Sequence, residues 1–281
     1  MKILMLVNWK IKYCNEKPQD KQPPDYYVSG EDYWFYRYFK EKNEIDVIDI
    51  SSFSWLEKFE KEKIRFYILQ SLKAIPKLNK YDLIVSHGMQ SGVVISLWRR
   101  FFKTKSKHIV FDIGSFASAS ESGFALKLMR FASKSIDGLI YHTSSQIEYY
   151  KKYFPWLVNK SKFIRYGADF NFFGQNMSSV SNANDKYMIC VGYNKRDWET
   201  LAAAYKSLNI KTKLKLVGRI NSQYENIDGI EQMPFVPIKN LICMIKDAEY
   251  SVLPLENMNY SFGQMTLLQQ NKILNVSVKR S

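Results

Sequence analysis

Short apolar segments typical of strands alternate with helix-like segments along almost the whole chain, and this alternation constrains the fold more than any other feature. It is clearest between Met188 and Gln270, where two predicted strands end at Gly192 and Gly218. Strands joined through helices pair in parallel, because the connection must return to the starting edge of the sheet. The sequence therefore predicts an α/β fold of mainly parallel sheets that are covered on both faces.

The chain is long enough for two domains. Its 281 residues can form two domains of ordinary size, each with a core of its own. Apolar periodicity vanishes in the polar segment 174–186, which favours a boundary there. We therefore predict an N-terminal domain at 1–173, a linker at 174–186 and a C-terminal domain at 187–281.

Two neighbouring segments of the first domain receive specific predictions. Asn8–Val28 contains prolines and many polar residues, which indicates a long surface loop. Ser29–Phe39 has a serine near its start and a series of aromatic residues, which predicts a helix with an aromatic face.

The net charge favours anionic partners. There are 41 Lys and Arg against 27 Asp and Glu, a net charge of +14, of which residues 1–170 contribute +10. The positive charge is dispersed and no recognition motif is present, so nucleic-acid binding is not expected. No membrane-spanning stretch or signal peptide is recognisable, which predicts a cytoplasmic protein. The cysteines and histidines lack metal-ligand spacing, so no metal site is predicted.

Two glycines of the second domain lie where a phosphate could approach the backbone. Gly192 ends a predicted strand and Gly263 precedes a predicted helix start. In doubly wound sheets, ligands sit at the carboxyl ends of strands, and helix N-termini present free N–H groups to anions. Lys195 and Arg196 suit a diphosphate, since arginine can bind phosphate oxygens bidentately. The alternative is a solvated basic turn followed by Asp197 as a helix N-cap.

Two polar residues end predicted strands of the first domain. The His87 imidazole could bind a sugar hydroxyl or transfer a proton, or it could simply be packed or exposed. The Asp112 carboxylate could accept hydrogen bonds from the hydroxyls of an acceptor, or it could cap the turn that follows.

Basic and aromatic residues occur together in three segments of the first domain, namely Tyr33–Phe39, Arg99–Lys107 and Tyr149–Trp156. Aromatic rings at the headgroup level and cations on lipid phosphates would suit an anionic membrane surface. A core with a solvated rim explains the same pattern, and both interpretations stay open.

Two passages of the chain resemble family 4 of the GT-B glycosyltransferases. Asp137–Ser144 followed by Lys162–Phe173 looks like the family's strand, serine, helix and Gly-x-Asp-x-x-x-Phe passage before the interdomain linker. Met188–Gln269 looks like its donor domain. The resemblance extends over nearly the whole chain and implies two Rossmann-like domains.

The resemblance also implies roles for individual residues. The residues expected to bind the nucleotide-sugar donor are Gly192, Lys195, Arg196, Gly218, Glu256, Ser261 and Gly263. Catalytic roles fall on His87, Asp112 and Arg196. Charge develops on the departing diphosphate, so cations and helix dipoles would stabilise it without a metal.

The implied activity is transfer of a sugar from a nucleoside-diphosphate sugar to a hydroxyl of a glycan or lipid-linked acceptor. Retention of anomeric configuration and a role in surface polysaccharide or glycoconjugate biosynthesis belong to the same expectation. The basic first domain fits a peripheral enzyme at the anionic inner face of the membrane.

The chain departs from the family in two respects. Members usually carry two glutamates separated by seven residues; the first is matched here by Ser261 or Tyr260 and the second by Gln269. The family also continues with further strand–helix units, so we expect a C-terminally truncated chain with an incomplete second domain. The alternative hypothesis is a degenerate, non-catalytic member that binds a nucleotide or a partner transferase.

Overall fold

The structure, a computed structural model, describes residues 1–18, 21, 23–64, 66–114, 116, 122–165, 167, 186–192, 196–218 and 221–254. These residues form two compact units, the first ending at Arg165 and the second comprising the described residues beyond it. Residues 168–185 are outside the described part, so the domain limits 1–173, 174–186 and 187–281 stay predictions.

A six-stranded parallel sheet forms the centre of the first unit, and its strand order is β4-β1-β5-β6-β7-β8. The strands of this unit, including β2 and β3, are β1 Lys2–Leu6, β2 Lys12–Cys14, β3 Tyr26–Val28, β4 Glu44–Ile48, β5 Leu83–His87, β6 Lys107–Asp112, β7 Gly138–Tyr141 and β8 Ser161–Phe163. β2 and β3 pair in a separate two-stranded parallel sheet.

Helices connect the strands of the first unit. They are α1 Ser54–Phe59, α2 Ile68–Ala74, α3 Met89–Phe101, α4 Phe124–Ser133, α5 Gln146–Tyr153 and α6 Pro155–Val158. A π-helix at Glu60–Ile64 and 3-10 helices at Trp34–Tyr36 and Ile75–Lys80 complete the set for the described residues. Ile3, Leu4, Met5 and Leu6 of β1 are at most 1% exposed, as expected for a central parallel strand covered on both faces.

The region between β1 and β4 differs from the prediction. The predicted loop Asn8–Val28 contains β2 and β3, and the predicted helix Ser29–Phe39 is reduced to the single 3-10 turn at Trp34–Tyr36. Tyr33 and Tyr36 are buried in one core with Ile3 and Met5 of β1. Packing of these rings against the sheet, rather than helical periodicity, determines the path of the segment.

The second unit contains a four-stranded parallel sheet with the order β11-β10-β9-β12. Its strands and helices are β9 Tyr187–Gly192, α7 Trp198–Ser207, β10 Lys213–Gly218, a 3-10 helix at Ser222–Tyr224, β11 Ile230–Met233, α8 Ile238–Asp247 and β12 Tyr250–Ser251. Cys190 and Leu216 pack towards α7, while Ile189 and Val217 pack towards α8. The predicted α/β fold with Rossmann-like parallel sheets is confirmed.

None of the helices in the described part of the chain combines the length and the apolar character needed to cross a membrane.

Candidate functional site

Each of the two larger sheets has a point where the strand order reverses. In the first unit it lies between β1 and β5, since β4 extends the sheet on one side and β6 to β8 extend it on the other. In the second unit it lies between β9 and β12. Ligands of open α/β sheets bind outside the carboxyl ends of strands at such points. His87 ends β5 and Gly192 ends β9, so two predicted site residues occupy these positions.

Two glycines form the carboxyl edge of the second sheet. Gly192 and Gly218 are aligned partners in β9 and β10, with φ angles of +147° and +151°. A Cβ atom on Gly218 would lie 2.1 Å from the carbonyl oxygen of Gly192. Only glycine permits this approach of the two backbones.

Arg196 folds back over this glycine edge. Its Nε donates to the carbonyl oxygen of Val191 at 3.1 Å, and a Cβ atom on Gly192 would lie 2.5 Å from the same nitrogen. A guanidinium that contacts the end of β9 is well placed to bind an anion there. Nearby Cys190 is buried, which raises the pKa of its thiol to about 12, so it is not a reactive thiolate.

Asp197 is the N-cap of α7. Its Oδ1 accepts a hydrogen bond from the Thr200 N–H at 3.0 Å, and this bond lowers the pKa of the exposed carboxyl group. The Asp197 N–H in turn donates to the carbonyl oxygen of Pro254, which follows β12. The N-cap interpretation is confirmed for Asp197. Because its carboxylate occupies the α7 terminus, an anion at this edge would depend on Arg196 rather than on that helix dipole.

His87 lies among aromatic rings at the edge of the first sheet. Its ring centroid is 4.7 Å from that of Trp9, 5.8 Å from that of Phe35 and 6.5 Å from that of Phe111. The Nδ1–H donates to Asn8 Oδ1 at 3.2 Å. Asn8 and Trp9 follow β1, so both sides of the reversal point contribute to this cluster.

The His87 imidazole is neutral at physiological pH. Burial is the main cause that lowers its pKa to about 4, and the nearby His142 lowers it further. With Nδ1 donating to Asn8, the neutral ring presents Nε2 as an acceptor. His87 can therefore accept a hydrogen bond from a hydroxyl group, which is one of the roles predicted for it.

Asp112 has a structural position. Its side chain is completely buried, and Oδ1 accepts from the N–H groups of Gly114 and Phe116. Oδ2 accepts from Gln146 Nε2 at 3.1 Å and from the Tyr150 hydroxyl. Both oxygens are engaged inside the unit. The structure therefore favours the turn-capping alternative over the predicted contact with acceptor hydroxyls.

Asp112→Asn is expected to lower the free energy of unfolding by about 3 kcal/mol. Gln146 Oε1 accepts from the N–H groups of His142 and Thr143, which fixes its amide so that Nε2 donates towards residue 112. An asparagine at this position would place an N–H group opposite the Gln146 Nε2–H donor, so this hydrogen bond would be lost. Urea unfolding monitored by circular dichroism measures the effect. The matched control is Asp46→Asn, which removes an exposed carboxylate that also accepts from a tyrosine hydroxyl. A loss no larger than that of the control would contradict the structural role.

Four predicted site residues are outside the described part of the chain, and three residues near His87 were not predicted. Lys195, Glu256, Ser261 and Gly263 are outside the described residues. Asn8, Trp9 and Phe111 were missed, although Asn8 and Trp9 follow the first strand and so carry a positional signal. Among the described residues, no cluster of three or more His, Cys, Asp or Glu has the geometry to hold a metal ion.

Comparison with known proteins rests on structure, since no protein-family model matches the chain and no curated protein matches it by sequence. Sucrose-phosphate synthase from Thermosynechococcus elongatus matches with a TM-score of 0.58 and 15% identity, over 95% of this chain and 78% of that one. Anabaena HepE in complex with UDP matches with a TM-score of 0.57 and 11% identity, over 95% and 78% of the two chains.

This chain shares their fold. HepE in complex with UDP-glucose gives the same result, with a TM-score of 0.56 and 12% identity. The two-unit α/β architecture is thus the GT-B type implied by the sequence resemblance. At identities this low the match concerns the fold alone.

Proposed function

We propose that the protein is a glycosyltransferase that moves a sugar from a nucleoside-diphosphate sugar to a hydroxyl of a glycan or lipid-linked acceptor. The observation that carries this proposal is Arg196, whose guanidinium lies over Gly192 at the reversal point of the second sheet. The shared fold with HepE, a protein solved with UDP and with UDP-glucose, supports a nucleotide-sugar donor at that edge.

The proposed chemistry depends on stabilising the leaving group. Negative charge develops on the diphosphate as its bond to the anomeric carbon of the sugar breaks. A preformed cation beside the diphosphate lowers the barrier to this step. Arg196 is proposed to supply this cation, and Lys195, its neighbour in the sequence, a second one. Gly218 adds no side chain of its own to the edge, so the nucleotide would meet backbone at this position. The mechanism requires no metal ion.

His87 is proposed to bind a hydroxyl of the transferred sugar or of the acceptor. It is neutral at physiological pH, and its orientation is fixed by Asn8 and by the rings of Trp9 and Phe111. Sugars stack on aromatic surfaces through their C–H groups while their hydroxyls form hydrogen bonds. Transfer of a hexose with retention of configuration, in the synthesis of a surface polysaccharide or glycoconjugate, completes the proposal.

Arg196→Ala is expected to weaken UDP binding about tenfold, because a charge-assisted hydrogen bond to phosphate is lost. Isothermal titration calorimetry with UDP and GDP measures the dissociation constants and identifies the preferred base. Lys206→Ala is the matched control, since it removes one positive charge from the last turn of α7, away from the glycine edge. Unchanged UDP affinity in a folded Arg196→Ala protein would remove Arg196 from the site.

A degenerate member that binds a nucleotide or a partner transferase without turnover is the second candidate. It is favoured by Gln269 and Ser261, which stand where family members usually carry glutamates. Donor hydrolysis and transfer assays separate the two candidates. Release of nucleoside diphosphate above background supports the transferase, whereas tight donor binding without release in any acceptor mixture supports the degenerate member.

A further inference from the structure

Helix α4 exposes phenylalanine and lysine along one side. Four residues at intervals of three or four share one face of this helix and of the C-cap position that follows it. They are Phe124, Lys127, Phe131 and Lys134. Phe124 is 79% exposed and Phe131 is 40% exposed, and both lysines are exposed. Contiguous exposed patches of such rings are typical of surfaces that bind a partner.

The end of α3 extends this face. Phe101 is 71% exposed, and its ring centroid lies 5.9 Å from that of Phe131. The Arg100 guanidinium lies 4.9 Å from the centroid of the Phe131 ring. We call this surface the phenylalanine–cation face, and it consists of Arg100, Phe101, Phe124, Lys127, Phe131 and Lys134.

The two helices that carry this face have charges of one sign only. Neither α3 nor α4 contains an aspartate or glutamate, and Lys103, Lys105 and Lys107 follow α3 directly. Asp137 pairs with Arg99 at 2.6 Å and with Lys107 at 3.8 Å, and neither of these two cations belongs to the face. Such a surface attracts anions over the range of a Debye length.

A second exposed aromatic surface provides a contrast. Phe53 and Trp55 at the start of α1 are 70% and 71% exposed. Here the neighbouring residues carry both signs, and Glu57 pairs with Lys10 at 2.7 Å. Aromatic exposure alone therefore does not distinguish the phenylalanine–cation face, whereas its combination with charge of one sign does.

We propose that the phenylalanine–cation face binds the surface of an anionic lipid membrane. Phenylalanine has no polar atom that needs water, so its ring can enter the boundary between headgroups and acyl chains, while the flanking cations stay at the level of the lipid phosphates. None of its residues belongs to the candidate site. It would bring the first unit to a membrane whether or not a nucleotide is bound, so its test does not depend on the proposed function.

Vesicle sedimentation of the full chain without nucleotide tests the proposal. We expect binding to vesicles that contain phosphatidylglycerol, little binding to pure phosphatidylcholine, and release as salt concentration rises. The double variant Phe124→Ser/Phe131→Ser is expected to lose about tenfold in partitioning, because two rings no longer leave water. Lys127→Gln is expected to lose about fivefold at low salt.

Phe53→Ser/Trp55→Ser is the matched control and is expected to bind anionic vesicles like the unaltered protein. Thermal unfolding verifies that every variant is folded. Equal losses in the two double variants would overturn the proposal, as would binding that ignores lipid charge. Tighter binding to single-stranded RNA than to vesicles, unaffected by the phenylalanine changes, would overturn it in favour of a nucleic-acid partner.

Discussion

Gly218→Ala is expected to destabilise the second unit by about 4 kcal/mol and to remove most of its cooperative unfolding transition. The new Cβ atom would lie 2.1 Å from the Gly192 carbonyl oxygen, which belongs to a central strand and cannot move aside as a side chain could. The φ angle of +151° adds strain for any residue with a Cβ atom. Hydrogen exchange of peptides from β9, β10 and α7 measures the loss locally.

Substitutions of two other glycines serve as comparisons for this prediction. A Cβ atom on Gly192 meets the Arg196 guanidinium, so Gly192→Ala is expected to displace a side chain and to weaken UDP binding more than stability. Gly167 has no atom within 4 Å of a Cβ position, and Gly167→Ala is expected to be neutral. Equal hydrogen-exchange protection in the Gly218→Ala and Gly167→Ala proteins would contradict the close approach of β9 and β10.

The fold could be predicted from the sequence because its information is local. Buried parallel strands appear as short apolar runs, and β5, β6, β9 and β10 end at the residues predicted for them, namely His87, Asp112, Gly192 and Gly218. The positions of Gly192 and Gly218 at strand ends were equally visible. The strand orders that bring Gly192 and His87 to reversal points were not predicted, since pairing depends on contacts between distant segments.

Residues whose role depends on packing were harder to predict. Asp112 and His87 both end strands of one sheet, and the sequence gives no reason to separate them. Their surroundings differ. Gln146 and Tyr150 donate hydrogen bonds to the Asp112 carboxylate, whereas burial lowers the pKa of His87 and keeps its ring neutral. The helix prediction for Ser29–Phe39 was wrong for a related reason, since the burial of Tyr33 and Tyr36 overrides the helix-like pattern of the segment.

Acidification from about pH 7.5 to about pH 5 is expected to destabilise the first unit by roughly 4 kcal/mol through His87 and His108 alone. Burial lowers the pKa of His87 to about 4 and that of His108 to about 3, and it also lowers the pKa of His142. An unfolded histidine takes up a proton near pH 6.5. The unfolded chain therefore binds more protons, and stability falls as the pH drops below that value.

His108 allows the sharpest test of this pH dependence. It is completely buried between Ser86 and Ser96, with Nε2 2.9 Å from the Ser86 hydroxyl, and Arg99 further disfavours its charged form. His108→Asn is expected to reduce stability at every pH but to lessen the loss between pH 7.5 and pH 5 by about 2 kcal/mol. Urea titrations followed by tryptophan fluorescence report mainly on the first unit, since Trp198 is the one tryptophan of six that lies beyond it. An unchanged pH dependence in this variant would mean that His108 is protonated as easily in the folded protein as in the unfolded chain.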